Sequence, residues 1–69
     1  MYLAVEIAGK LYTVHARTYK SAIAQAVGQA VAEGLQVNKT TPIELVLVDG
    51  APIEVVEEII QSYKNSNLK

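Results

Sequence analysis

Apolar and polar residues alternate across residues 1–17. Leu3, Val5 and Ile7 precede a break at Gly9-Lys10, and Tyr12, Val14 and Ala16 follow it, all at period two. That is the spacing of half-buried strands. A two-residue loop with glycine first suits a type II′ turn, whose twist matches the flanking strands. The pattern therefore predicts a β-hairpin with Ile7 opposite Tyr12, Val5 opposite Val14 and Leu3 opposite Ala16, all six on one face. The same register sets Tyr2 opposite Arg17, Ala4 opposite His15 and Glu6 opposite Thr13 on the other face. Tyr2 over Arg17 reads as ordinary cross-strand packing, since an exposed cation–π contact contributes at most about 1 kcal/mol.

The period then changes. Tyr19, Ala22, Ile23, Ala26, Val27, Ala30 and Val31 recur at helical spacing, with Thr18 as N-cap and Gly34 as the left-handed residue that ends the helix. Ala24, Gly28 and Ala32 form a small-residue stripe on its flank. An exposed interior glycine costs about 1 kcal/mol relative to alanine, so close packing of the stripe on the second helix is expected, with a backbone-close partner contact as the alternative. Residues 35–42 form a polar connection. Ile43 to Val48 reads as a third strand, aliphatic except for Glu44 and covered on most of both faces. Asp49-Gly50-Ala51-Pro52 reads as a turn that delivers Pro52 to the first position of a second helix. That helix carries the apolar stripe Ile53, Val56, Ile59, Ile60 and Tyr63, with Glu54, Glu57 and Glu58 early and Lys64 late, as its dipole favours.

The expected fold is α+β: a two-layer sandwich in the order β-β-α-β-α, with a three-stranded sheet and two helices on one face. Residues 1–64 make the single domain and residues 65–69 a frayed polar tail. Strand order 2-1-3, antiparallel throughout, is favoured over a mixed sheet with the third strand beside the second; a right-handed crossover is assumed.

Composition narrows the function. With 51% hydrophobic and 19% charged residues, the chain has the makings of a core and not of a disordered segment. At 69 residues it buries only about 60% of its unfolded surface. It has no cysteine and one histidine, so disulfides and a structural zinc site are not expected as staples. An efficient core or self-association remains, and a homodimer is expected. No metal or other cofactor is expected. No apolar run approaches the roughly 18 residues of a membrane span, and Glu6 and Lys10 interrupt any signal-like start. A cytoplasmic location is expected. The net charge is −1. Lys10, Arg17, Lys20 and Lys39 outweigh Glu6 and Glu33 in the first part, whereas Glu44, Asp49, Glu54, Glu57 and Glu58 outweigh Lys64 and Lys69 in the second. A general nucleic-acid binder needs a clear basic excess, so nucleic acid is not the expected partner.

Two surfaces could bind protein. The open sheet face would present Tyr2, Leu11, Thr13, His15, Arg17, Val46 and Val48, more apolar than a solvated face requires. The acidic helix would present Glu54, Glu57 and Glu58, most simply as a solvated face. Both sheet edges offer unpaired backbone, and neither edge strand contains a proline to block docking. Chemistry is scarce. His15, Glu6 and Thr13 come close on the expected hairpin, but a flat strand face has no cleft to exclude water, and no phosphate loop or nucleophile elbow occurs. Neither enzymatic activity nor a small-molecule substrate is expected. The stretch Thr18-Tyr19-Lys20-Ser21-Ala22-Ile23 after a hairpin loosely resembles small antitoxins with a double-stranded-RNA-binding-like fold, without their additional strand or their turn motif. The expected function is a protein-interaction module, an inhibitor or adaptor such as a phage or mobile-element anti-defence protein. The alternative is a nucleic-acid-binding or antitoxin-like regulator.

Overall fold

The computed structural model describes residues 2–47 and 49–68, the side chain of Val55 excepted. The elements follow the order β1 (Tyr2–Ile7), β2 (Lys10–His15), α1 (Tyr19–Ala32), β3 (Ile43–Val46), a 3-10 turn (Glu54–Val56) and α2 (Glu57–Asn67). The sheet is antiparallel in the order β2-β1-β3, as expected for an α+β sandwich. Helix α1 lies against β1 and β2, and α2 lies against α1 and β3. Between the layers sits one core, in which Val5, Ile7, Ile23 and Leu45 are fully buried. At about 25 cal/mol per Å² of apolar surface, each large side chain sealed there contributes roughly 1.5–3 kcal/mol.

The hairpin closes one step earlier than the turn chemistry suggested. The loop is Ala8-Gly9, with φ values of 51° and 83°, a pair of left-handed residues that makes a type I′ turn. Leu3 faces Val14, Val5 faces Tyr12 and Ile7 faces Lys10. The strands are thus displaced by two residues from the expected register while every side chain keeps its face, because strand parity repeats every two residues. Holding Ala8 left-handed costs roughly 1–2 kcal/mol. An offsetting bond is visible, since the Ala8 N–H donates to the Pro42 carbonyl at 2.9 Å and ties the loop to the start of β3.

Thr18 caps α1 as anticipated, its hydroxyl accepting the Ser21 N–H at 3.1 Å. At the other end Gly34 is left-handed (φ 92°). The Leu35 N–H reaches the Ala30 carbonyl at 3.0 Å and the Gly34 N–H reaches that of Val31 at 2.9 Å, the paired bonds of a Schellman cap. Leu35 then packs on the core. Two expectations for α1 need correction. Val31 is 56% exposed and lies off the buried stripe. A Cβ placed on Gly28 would meet nothing within 4 Å, so the small-residue stripe is not packed on α2.

Pro52 does not open the second helix. After a turn in which the Asp49 carboxylate accepts the Ala51 N–H at 3.0 Å, residues 51–53 run back along the outer side of β3. The Leu47 N–H donates to the Ala51 carbonyl at 2.7 Å, the Ile53 N–H donates to the Leu45 carbonyl at 3.1 Å, and Pro52 bridges Val46. Proline fits because its missing N–H would point away from the ladder. Helical structure begins only at Glu54. At the C-terminus α2 continues through Asn65 to Asn67, and Leu68 packs against the core. The frayed tail expected over residues 65–69 is therefore helical for most of its length.

Candidate functional site

The face of the sheet away from the helices is the surface to which sequence reasoning pointed. Tyr2 is 69% exposed and Leu11 50% exposed, and Thr13, His15 and Arg17 are also exposed. The displaced register sets Tyr2 opposite His15, not Arg17. The two rings meet with centroids 4.5 Å apart at an interplanar angle of 32°, within the range in which aromatic pairs attract. The same displacement sets Glu6 opposite Leu11, and on its other side β3 sets Glu6 opposite Glu44. His15, Glu6 and Thr13 are therefore not gathered as the expected pairing required.

The middle of this face is closed. Ala4 is 1% exposed and Val46 4%, although both lie on the side away from the main core cluster. Val46 is flanked by Ala4 on β1 and by Pro52 on the returning segment. Its expected role as an exposed contact is thus corrected by the segment that covers β3. Val48, named with it, lies outside the described residues. What remains is a strip along β1 and β2: the Tyr2–His15 pair, Leu11, Thr13 and Arg17.

Glu54, Glu57 and Glu58 are all exposed, and Glu57 and Glu58 line one groove with Lys64. Glu54 and Glu57 join Glu6 and Glu44 around a groove of about 540 Å³ beside β3, with Lys64 at its margin. Glu6 and Glu44 are direct cross-strand partners, a like-charge pairing that destabilises a sheet. Glu58 also lines a groove of about 670 Å³ with Arg17, Lys20, Tyr19, Ile59 and Tyr63, between the start of α1 and α2. Among the described residues no group of three or more His, Cys, Asp or Glu side chains is arranged to hold a metal ion.

Sequence reasoning missed one polar cluster. The Glu33 carboxylate accepts from the Lys10 ammonium at 2.7 Å and from the Tyr12 hydroxyl at 2.8 Å. The Lys10 hydrogen bond, followed by that of Tyr12, holds the Glu33 carboxyl below the ordinary carboxylate range. The same bond holds Lys10 above its usual value. Burial, and then its bond to Glu33, raises the Tyr12 phenol. The Tyr12 ring is buried while its hydroxyl meets this surface carboxylate. The cluster fastens β2 to the end of α1 and occupies one of the few cations.

No protein-family model matches the chain, and no curated protein or solved structure matches it.

Proposed function

We propose that the chain is a non-enzymatic protein-interaction module, an inhibitor or adaptor, that engages a protein partner through the open strip of its sheet. The observation that carries this reading is the exposed Tyr2–His15 pair beside exposed Leu11. Tyrosine is enriched among the residues that dominate protein interfaces. Here its ring is preorganised on a β-ladder, which reduces the entropy lost on binding. The strip is flat, as suits a protein better than a small molecule. A basic partner at the groove of Glu6, Glu44, Glu54 and Glu57 is the second reading, favoured by the direct facing of Glu6 and Glu44. A nucleic-acid role has less support, because Lys10 is paired with Glu33 and Arg17 and Lys20 share a groove with Glu58.

The test is affinity capture from the native host, read by mass spectrometry. A protein retained by the natural chain should be lost by the double variant Tyr2→Ala, Leu11→Ala at unchanged melting temperature. Loss with Glu54→Lys, Glu57→Lys instead would move the site to the acidic groove. Retention of the same proteins by both variants, or of none by the natural chain, would overturn the reading.

A further inference from the structure

The two long sides of the sheet are unequal. Beyond β3, residues 51–53 take up the Leu45 carbonyl and the Leu47 N–H. Beyond β2 no described residue does so. In a two-residue hairpin the residues flanking the loop form a hydrogen-bonded pair, here Ile7 with Lys10, and orientation alternates from there. The bond from the Ala8 N–H to Pro42 on the opposite side agrees with that phase. Lys10, Tyr12 and Val14 thus direct their backbone groups to β1, while Leu11, Thr13 and His15 direct theirs outward.

We propose that this edge pairs with a second copy of the chain, β2 against β2 about a two-fold axis through Thr13, giving one six-stranded antiparallel sheet. The proposal rests on the interaction-module reading, because it extends the same strip across two protomers. Register selects the occupant. Only with Leu11 opposite His15 of the partner subunit, and Thr13 at the axis, do all outward amides and carbonyls of Leu11, Thr13 and His15 find partners. That register also keeps side-chain parity, so Tyr12 and Val14 stay on the helix side. It sets threonine beside threonine, a favourable cross-strand pair, and opposes no like charges.

The helix above this edge meets the same requirement. Gln29 and Gln25 precede Glu33 by one and two helical turns, on the stripe that Glu33 anchors to β2. Both are exposed. A two-fold axis brings such a stripe against itself, where charges of one sign would repel. A glutamine amide both donates and accepts, and so complements its own copy. Lys20 is the single charged residue within α1.

Light scattering and sedimentation of the natural chain should give twice the 7.5 kDa of one chain. Thr13→Pro should halve that mass with unchanged circular dichroism, because the Thr13 N–H points away from β1 and bonds to no described residue. Thr13→Cys supplies a test independent of that variant's folding. Across a hydrogen-bonded pair the Cα atoms lie about 5.5 Å apart, inside the roughly 4.4–6.8 Å span of a disulfide. Mild oxidation should therefore cross-link Thr13→Cys rapidly. Leu11→Cys, whose copies would lie about 13 Å apart along the strands, should react far more slowly. A natural chain of 7.5 kDa at high micromolar concentration, or cross-linking at Leu11→Cys as fast as at Thr13→Cys, would overturn the dimer. Partner capture by a monomer would leave the interaction-module reading standing, and a dimer that captures nothing would remove that reading alone.

Discussion

The carboxylate of Glu33 stands at the C-terminal end of α1, where the helix dipole disfavours negative charge, and Lys10 and Tyr12 hold it there. Its lowered folded pKa makes its contribution present above the ordinary carboxylate range and lost as pH falls through the lowered value. Lys10 and Tyr12, both raised, act in the opposite sense, contributing below their ordinary values and losing that contribution as pH rises through the raised ones. Glu33→Gln should therefore lower the melting temperature at neutral pH, and its deficit should shrink as the medium is acidified. Thermal unfolding followed across the acid range checks this, and a deficit independent of pH would contradict it. No periodicity could have revealed the cluster. Lys10 and Tyr12 lie more than twenty positions from Glu33, and only the crossing of α1 over β2 joins them.

Among the elements, the hairpin separates what a pattern can specify from what it cannot. Alternation assigned Leu3, Val5, Ile7, Tyr12, Val14 and Ala16 to the buried face, and all six are buried. Alternation is blind to a shift of two residues, so the turn had to decide the register, and Gly9-Lys10 was a plausible loop on local chemistry alone. The deciding bond, from Ala8 to Pro42, connects segments far apart in sequence. Asparagine tolerates the left-handed region, and Asn-Gly is the favoured type I′ pair. Ala8→Asn should thus stabilise the domain by about 0.5–1 kcal/mol, within the range of compatible turn changes. Denaturant unfolding decides the matter by sign, because with Ala8 inside a strand the same change would destabilise. The caps of α1 were legible because each is encoded within a few residues, Thr18 to Ser21 and Ala30 to Leu35. The role of Pro52 was not legible. Proline suits either a helix start or an outer strand, and only the space beside β3 distinguishes them.

At the scale of the molecule, a single core carries the fold. Leu45 is fully buried at its centre, and truncating such a side chain costs about 2–5 kcal/mol. Domains of this size have a total stability of only about 3–10 kcal/mol. Leu45→Ala should therefore leave a large fraction of the chain unfolded at 37 °C, seen as a collapse of the urea midpoint, and a shift of less than 1 kcal/mol would contradict the assignment of the core. The exposed strip was legible in part. Tyr2, Leu11, Thr13, His15 and Arg17 lie where strand parity placed them, whereas Val46 is sealed by a segment expected to be helical.

That seal has a further consequence. Two adhesive margins would let copies add without limit, as in a cross-β filament. With Ala51 and Ile53 bonded along one margin and Pro52 offering no donor there, growth by strand addition saturates once the remaining margin is occupied. On the pairing proposed above, strand addition therefore ends at a finite complex, and a high local concentration drives it towards completion and not towards fibres.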